Sequence, residues 1–293
     1  MQYRIIPVCL AVLLGTGCAH LRPDSRDTVL IITFVNVGYG DAIILQTGAS
    51  ACLIDGGYPT VTAMLLDTIR DLGITGFDSV VLTHPHPDHI GGLHGILASG
   101  FPAKAFYCPW NLDSPDIPSG FRNVILNQRI PYHEVKTGDT IPITDDLVLA
   151  VLHPDHPEPD LNESSLVLFC PVPERGLLLT GDIGPNGQAL LMKRYPELFP
   201  VTILKAPHHA GESLESFYEN ALPQVTVICD GINPYGNPWQ TTLDAAERWS
   251  GRVIRLSHSG TVQIRIPRSG QEIHSETDTA AEKERFFIEI IGF

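Results

Sequence analysis

Four side chains of metal-binding type stand within six positions, directly after an apolar run. The run 80–82 leads through Thr83 into an H-x-H-x-D-H pattern made of His84, His86, Asp88 and His89. Imidazole nitrogens and carboxylate oxygens are the ligands that zinc takes in hydrolytic sites. Their alternation directs the first two histidines to one ion, and Asp88 and His89 to another. Because Pro85 and Pro87 restrict the loop, the spacing predicts a preorganised cation site in which Asp88 is a catalytic residue.

Two later apolar runs also end in ligand-type residues. The run 177–180 leads through Gly181 to Asp182, and the run 203–205 leads through Ala206 and Pro207 to His208 and His209. Since four local ligands are too few for two ions, a two-metal site needs ligands from distant segments. The recurrence predicts a site assembled from several strand ends, in which Asp182 bridges both ions.

Short β-branched runs with turn-forming flanks alternate with helix-like stretches along the chain. The order predicts two packed sheets covered by helices on their outer faces, with chemistry carried by loops at the strand ends. Strands are predicted at 29–35, 41–46, 51–54, 79–83, 147–152, 164–171, 177–180, 202–205 and 226–229, and helices at 60–72, 91–97, 187–195, 214–220 and 240–249.

Two segments lack this periodicity. Residues 102–132 are rich in Pro, Asn, Asp and Gly with interspersed aromatic residues, which predicts an irregular surface segment, either shaping a pocket or packed as a loop. The polar tail, 269–293, contains an apolar run at 286–291 that predicts an edge strand. The domain that carries the chemistry is therefore predicted to span 28–268.

The N-terminal residues are typical of an export signal. Arg4 precedes an apolar run of about ten residues, whereas a membrane-spanning helix needs roughly twenty. Gly15-Thr16-Gly17-Cys18 resembles the lipobox of bacterial lipoproteins, although Gly15 stands where leucine is usual. We expect a signal peptide at 1–18 with lipidation of Cys18, a short linker at 19–27, and a membrane contact through the lipid anchor only. A secreted protein with an incidental Cys18 is the alternative.

The remaining composition limits the partners. A formal net charge of −14 opposes non-specific binding to a phosphate backbone. Cys52, Cys170 and Cys229 lie in or beside apolar runs and read as buried thiols, and no C-x-x-C spacing predicts a cysteine metal site. If the source is Gram-negative, Ala19 after the lipidated cysteine points to the outer membrane.

The order of these motifs resembles the metallo-β-lactamase superfamily over residues 29–266. Asp55-Gly56-Gly57 comes first, then the H-x-H-x-D-H cluster, Gly181-Asp182 and a late histidine. The resemblance implies an α/β (α+β) fold, an αββα sandwich of two mixed sheets flanked by helices. It also implies a hydrolase that holds two Zn²⁺ ions, with Mn²⁺ or Fe²⁺ as alternatives.

Three motifs are similar to the hydrolase domain of ComEC-type competence DNA-uptake proteins. They lie at 36–42, 205–209 and 233–238, and resemble V-G-Q-G-D-A, K-x-P-H-H-G-S and N-x-Y-G-H-P. Each departs from the pattern: Tyr39 replaces glutamine, Ala210 replaces glycine and Asn237 replaces histidine. Substrate contacts made by these positions in the subgroup are therefore in doubt here.

The resemblance also implies roles for individual residues. The first ion would take His84, His86 and Asp182, and the second Asp88, His89, Asp182 and His209. Asn162 stands where the family has the third histidine of the first ion, and His153 or His156 could substitute for it. Asp55 and Asp41 would orient ligands. His208 is predicted as a catalytic proton-transfer group, with a structural hydrogen-bonded histidine as the alternative.

Two metal ions held in this way activate water for hydrolysis. A phosphodiester is the preferred substrate class, because two-metal sites suit in-line displacement at phosphorus. The acidic charge favours a small or envelope-linked phosphodiester over long DNA. Alternatives are a lactone or β-lactam on the same fold, or a metal-stabilised binding lipoprotein without turnover, which Asn162 favours.

Overall fold

The structure is a computed structural model that describes residues 30–172, 175–266 and 289–292. The predicted signal peptide, the linker, Cys18 and most of the tail lie outside the described residues and stay predictions. Within the described ranges, no helix is long and apolar enough to cross a membrane.

Within the described residues, fifteen strands form two mixed sheets. The first has the order β15-β14-β1-β2-β3-β4-β5-β6, antiparallel from β15 to β3 and parallel from β3 to β6. The second has the order β13-β12-β11-β10-β9-β8-β7, parallel from β13 to β10 and antiparallel onward. The strands are β1 Leu30–Phe34, β2 Ile43–Thr47, β3 Ser50–Ile54, β4 Ser79–Val81, β5 Phe106–Cys108, β6 Tyr132–Glu134, β7 Thr140–Pro142, β8 Val148–His153, β9 Val167–Cys170, β10 Leu177–Leu179, β11 Ile203–Lys205, β12 Val225–Ile228, β13 Arg252–Arg255, β14 Val262–Ile266 and β15 Glu289–Gly292.

Helices lie on the outer face of each sheet. We number the longer ones α1 Thr62–Asp71, α2 Pro87–Ala98, α3 Ser119–Gln128, α4 Pro185–Arg194, α5 Glu215–Ala221 and α6 Gln240–Trp249. Short 3₁₀ turns lie at Pro59–Val61, Pro196–Leu198 and Pro207–Ala210, and a single α-helical turn at Leu256–Ser259. The first three helices cover the first sheet and the last three cover the second.

Alternating strand residues divide the apolar core into layers. In β3, Cys52 and Ile54 face the central layer shared by both sheets, while Leu53 packs beneath α1 and α2. In β10, Leu177 faces the central layer and Leu178 packs beneath α4 and α5. Strands buried on both faces need apolar residues at every position, which explains the continuous apolar runs in the sequence. The predicted αββα sandwich is confirmed.

The start of α2 is fixed by a close backbone approach. A Cβ on Gly92 would overlap the carbonyl oxygen of Gly56, so only glycine fits there. Gly56 N–H donates to His89 O at 2.8 Å, and Gly92 N–H donates to Gly57 O at 2.8 Å. The first turn of α2, which carries Asp88 and His89, is thereby held against the loop that carries Asp55.

All nine predicted strands and all five predicted helices have counterparts in the structure. The prediction of an irregular segment at 102–132 is wrong, because β5 and α3 lie within it. Phe106 and Phe121 pack their rings together there, with centroids 5.2 Å apart, so the aromatic residues form core instead of a surface loop. The sequence patterns also missed β6, β7, β13 and β14.

Candidate metal centre and active site

The ligand-type residues meet at one edge of the sandwich, between the two sheets. Asp55 follows β3 and His84 lies three positions beyond β4, while Asp182 follows β10 and His209 follows β11. Because β3 and β4 are parallel, as are β10 and β11, the strand ends deliver these side chains to the same edge. The arrangement predicted from strand ends is thus present in the fold.

Asp88, His89, Asp182 and His209 form the tightest group. One ligand atom from each lies within 4.8 Å of all the others, and all four side chains are buried. Oδ2 of Asp182 lies 3.2 Å from Nε2 of His89 and 3.1 Å from Nε2 of His209. Oδ2 of Asp88 lies 3.4 Å from the same atom of His209. These are the residues predicted for the second ion.

The orientation of the two imidazoles fits a cation between these atoms. Nδ1 of His89 donates to Oδ2 of Asp55 at 2.7 Å, and Nδ1 of His209 donates to the carbonyl oxygen of Cys229 at 2.9 Å. In the neutral tautomers, both Nε2 lone pairs therefore face the carboxylate oxygens of Asp88 and Asp182. Nε2 of His209 has no hydrogen-bond partner of good geometry. Converging lone pairs in a buried site need a cation, and this nitrogen and oxygen donor set suits a divalent metal ion.

The shifted pKa values of these residues show the same need for positive charge between the two carboxylates. Burial opposes a charge on His209, but the neighbouring carboxylates of Asp182 and Asp88 outweigh it and raise the pKa of the imidazole to about 9. Burial likewise opposes a charge on His89, yet Asp182 and Asp55 raise its pKa well above the usual range. Burial disfavours the Asp182 carboxylate, but His209, His89 and Lys205 hold its pKa well below the usual range. Without metal, protons take the place of the cation.

The residues predicted for the first ion lie beside this group. Nε2 of His84 lies 3.0 Å from Nδ1 of His86 and 3.9 Å from Oδ2 of Asp182. Burial, followed by the charge of His89, lowers the pKa of His84 well below its usual value, so its imidazole is neutral. Nδ2 of Asn162 lies 3.5 Å from Nε2 of His208, and Oδ1 of Asn162 is buried without a hydrogen-bond partner.

The two alternative histidines are placed elsewhere. His153 ends β8, and its Nε2 contacts the backbone oxygen of Glu163 at 2.6 Å. His156 is exposed. Neither belongs to the metal-type groups found among the described residues, nor to the lining of the adjacent pocket. His208, in contrast, lines that pocket together with His86 and Asn162.

Asp55 contacts the H-x-H-x-D-H loop through hydrogen bonds at both of its ends. It is fully buried, and its oxygens accept from the backbone N–H and the hydroxyl of Thr83 at 2.8 and 2.6 Å as well as from His89. The hydroxyl of Thr83 in turn lies 3.1 Å from Nδ1 of His84. One carboxylate therefore contacts both halves of the H-x-H-x-D-H loop.

Asp41 acts through a lysine that sequence reasoning did not single out. Lys205 is fully buried, and its Nζ lies 2.7 Å from Oδ2 of Asp41 and 3.3 Å from Oδ1 of Asp182. It also donates to the carbonyl oxygen of Gly181 at 2.8 Å. Burial opposes its charge, but Asp41 and Asp182 raise its pKa above the usual value. The sequence signals were a charged residue closing an apolar strand and the lysine that begins the K-x-P-H-H-G-S pattern at 205–209.

The segment that carries His208 and His209 has a strained backbone. His208, His209 and Ala210 have φ values of 49°, 53° and 57°, in the left-handed region that side chains other than glycine rarely adopt. Hydrogen bonds hold the segment from both sides: Nδ2 of Asn237 donates to His208 O, and Trp239 N–H donates to Ala210 O. Such strain, held by its surroundings, is typical of functional sites.

A pocket of about 510 Å³ opens onto the metal-type cluster. Asp88 and Asp182 lie in its lining, and aromatic side chains form another part of it: Tyr39, Tyr235 and Trp239. Its described lining also includes Asp160, Glu163 and Glu212 but no lysine or arginine. The pocket is therefore acidic and aromatic, apart from any cation that the cluster binds.

Comparison with known proteins identifies relatives of this arrangement. The chain is 32% identical over 206 residues to ComE operon protein 3 of Bacillus subtilis (strain 168), an alignment covering 69% of this chain and 26% of that protein. It is 25% identical over 268 residues to competence protein ComA of Neisseria gonorrhoeae, covering 89% and 36%. The chain thus spans about a quarter to a third of the length of these relatives.

Solved structures share the fold at low sequence identity. The metallo-β-lactamase fold protein YhfI from Bacillus subtilis superposes with a TM-score of 0.56 at 14% identity, covering 80% of this chain and 99% of that one. A mutant of the CmlA β-hydroxylase superposes with a TM-score of 0.54 at 14% identity, covering 84% and 55%. These likenesses show the fold alone.

The family follows from the sequence match together with the cluster at the strand ends. The model of the metallo-β-lactamase superfamily matches residues 35–248, which include every ligand-type residue described above. The fold of this family implies binding of divalent metal, and the described residues contain a group suited to it. This chain belongs to the metallo-β-lactamase superfamily, with ComEC-type competence proteins among its relatives, and is a metal-dependent hydrolase.

Proposed function

We propose that this chain is a dinuclear zinc phosphodiesterase that acts on a small or polymer-linked phosphodiester. The observation that carries the proposal is the buried group of Asp88, His89, Asp182 and His209, whose ligand atoms converge within 4.8 Å beside the open pocket. Imidazole and carboxylate donors suit zinc, with Mn²⁺ or Fe²⁺ as alternatives of similar donor preference. Two such ions supply an activated water and neutralise charge that develops on the substrate.

The bridging position is best filled by Asp182. Its Oδ2 faces Nε2 of His84, His89 and His209 at 3.9, 3.2 and 3.1 Å, so one oxygen is directed to both sides of the site. Lys205 lies 3.3 Å from the other oxygen of this carboxylate. Asp182 would therefore help to hold both ions, which would supply the activated water and charge neutralisation of a two-metal phosphodiesterase.

His208 is the group we assign to the gap left by Asn162. Asparagine is a weak, neutral ligand, whereas the neighbouring His208 places Nε2 3.5 Å from Nδ2 of Asn162 in the same pocket wall as His86. With a left-handed backbone at both positions, His209 belongs to the buried cluster and His208 lines the adjacent pocket. His208 then completes the first set of ligands, and His209 belongs to the second.

The phosphodiester class rests on the resemblance to ComEC-type proteins and on the suitability of two metal ions for in-line displacement at phosphorus. The lining of the pocket narrows the class. Without lysine or arginine among the described lining residues, the pocket offers no basic track for a long polyanion. A short or envelope-linked phosphodiester fits this charge distribution better than long DNA.

The test measures metal content and hydrolysis on the same purified protein. Wild type, Asp88→Ala, His208→Ala and the surface control Asp244→Ala are assayed with bis-p-nitrophenyl phosphate, nitrocefin, a lactone and single-stranded DNA. We expect two zinc ions and phosphodiester hydrolysis in wild type and the control, at least a 100-fold loss in Asp88→Ala, roughly the scale of losing a main catalytic group, and one ion in His208→Ala. Asp244 lies on the exposed face of α6, where its carboxylate contacts Gln240.

Each alternative has its own outcome. Full phosphodiesterase activity in Asp88→Ala would refute the two-metal site. Hydrolysis of nitrocefin or the lactone alone would move the substrate class to cyclic amides or esters. Two bound ions without turnover on any substrate would favour a binding protein.

A further inference from the structure

Two positions at which this sequence departs from the ComEC-type pattern contact each other. Tyr39 and Asn237 are 198 positions apart, yet Nδ2 of Asn237 donates to Oη of Tyr39 at 2.9 Å. Both side chains are buried and line the pocket beside the metal-type cluster. The two departures therefore act as one unit of the pocket wall.

The hydrogen-bond directions around this pair are fixed by its neighbours. Nδ2 of Asn237 also lies 3.2 Å from the carbonyl oxygen of His208, which only accepts hydrogen bonds, so the amide nitrogen faces both groups. Oη of Tyr39 consequently accepts from Asn237, and its own proton must point elsewhere. Among the described residues, no acceptor for that proton is recorded.

The ring of Tyr39 is held at the metal-type cluster. Its centroid lies 4.3 Å from the imidazole of His209 and 5.5 Å from the ring of Tyr235. A tyrosine hydroxyl is uncharged near neutral pH, so Tyr39 has a proton to donate. The result is a neutral, preorganised O–H donor in the wall of the pocket.

The composition of the pocket gives this donor a role. A substrate oxygen that gains negative charge needs hydrogen-bond donors or cations, and the described lining offers no lysine or arginine for this purpose. Stabilisation beyond that from bound metal ions therefore falls to neutral donors. Tyr39 is the one whose orientation is fixed from two sides, by Asn237 and by His209.

We infer that Tyr39 is a catalytic residue that donates a hydrogen bond from its phenol to a non-bridging oxygen of the substrate bound at the metal centre. The catalytic role of Tyr39 rests on the proposed function, whereas its hydrogen bond to a bound phosphate group does not. Tyr39 keeps its proton throughout, and Asn237 positions it. Glutamine at this position in the subgroup would present a different donor from a different place.

The test removes one hydroxyl and keeps the ring. In Tyr39→Phe, we expect the metal content of wild type. The kcat for bis-p-nitrophenyl phosphate should fall about 100-fold, which is the scale of losing one preorganised donor. The KM should stay within about threefold of the wild-type value. The matched control is Tyr132→Phe, which also removes a hydrogen-bonded tyrosine hydroxyl. Tyr132 lies on β6, where its hydroxyl donates to Trp110 O at 2.6 Å. The control should retain wild-type kinetics.

A binding measurement separates this inference from the proposed function. Inorganic phosphate is titrated into metal-loaded wild type and Tyr39→Phe, and we expect about tenfold weaker binding in the variant, the scale of one hydrogen bond to a charged group. If wild type hydrolyses no phosphodiester yet shows this difference, the proposed function fails and the role of Tyr39 stands. If hydrolysis is present but kcat and phosphate affinity of Tyr39→Phe stay within about twofold of wild type, the inference fails and the proposed function stands.

Discussion

Buried ion pairs and hydrogen bonds hold individual residues of this site in place. Lys205 lies between Asp41 and Asp182, and Asp55 lies between Thr83 and His89. A buried charge without a partner is costly, so each of these groups depends on its neighbours for its ionised state. The carboxylates that do not touch the metal positions therefore determine how well the ligands are presented.

Asp55→Asn tests this dependence at the scale of one residue. The substitution keeps the shape but removes the charge that accepts the Nδ1–H of His89 at 2.7 Å. We expect zinc affinity to fall by about 10- to 100-fold, as for other partners of ligating histidines. Competition with a chromophoric chelator measures it.

The control for this variant is Asp67→Asn. Asp67 makes an exposed ion pair with Arg70 on α1, so it undergoes the same chemical change far from the centre. Its zinc affinity should equal that of wild type. Equal affinities in both variants would show that Asp55 only stabilises the turn after β3.

At the scale of elements, sequence patterns missed β5 and β14 but predicted most of the strands that are buried on both faces. Their apolar runs are continuous, and their ends carry the ligand-type residues, so the position of the site was also predictable. Two other strands that were missed, β6 and β7, have three residues each and expose part of their surface. Helix α3 was missed because its flanking prolines and polar residues resemble a loop, while its burial depends on packing against distant β5.

Contacts between distant elements lay beyond such patterns. The pair of Tyr39 and Asn237 joins the loop after β1 to the loop after β12, and nothing local in either loop indicates the other. Lys205 likewise becomes a partner of Asp41 only when the two sheets pack. Pairings of this kind are properties of the assembled fold.

The strained turn after β11 gives a prediction at this scale. Ala206 and Ala210 are both fully buried, but Ala206 has φ −60° and Ala210 has φ 57°. Both lose the same methyl group on substitution by glycine, and both add the same freedom to the unfolded chain. Only Ala210→Gly also relieves left-handed strain, so it should cost about 1–2 kcal/mol less than Ala206→Gly.

Urea unfolding of the two glycine variants measures this difference. Both should keep wild-type metal content at saturating zinc, so the free energies refer to the same folded state. Equal losses of unfolding free energy would show that the left-handed turn at 208–210 stores no strain at Ala210.

For the whole molecule, the centre links the two sheets. Asp55, Asp88 and His89 belong to the first sheet and its helices, whereas Asp182 and His209 follow strands of the second. An ion bound by residues from both layers stabilises only the folded state, so metal binding adds to the free energy of unfolding. The protons that replace the ion make this addition depend on pH.

The direction of that dependence follows from the histidines. Burial opposes the charge of His209, but Asp182 and Asp88 raise its pKa to about 9 in the metal-free fold, compared with about 6.5 for an unfolded histidine. The stability that this proton contributes is present below pH ~6.5 and is lost as the pH rises through about 9. His89 shifts in the same direction. The carboxylates of Asp88 and Asp182 have lowered pKa values, so their contributions do not change in this window.

We therefore expect the stabilisation by zinc to grow between pH 6.5 and 9, because the metal-free protein loses stability while the metal-loaded protein binds through unprotonated imidazoles. The growth should be at most ~1.4 kcal/mol per pH unit for each imidazole that titrates. Urea unfolding at saturating zinc and in excess chelator, at several pH values, measures the difference. His209→Gln should flatten it, whereas His258→Gln, at a surface-exposed histidine, should leave it unchanged. A difference that is constant with pH in wild type would mean that protons do not occupy the centre when the metal is removed.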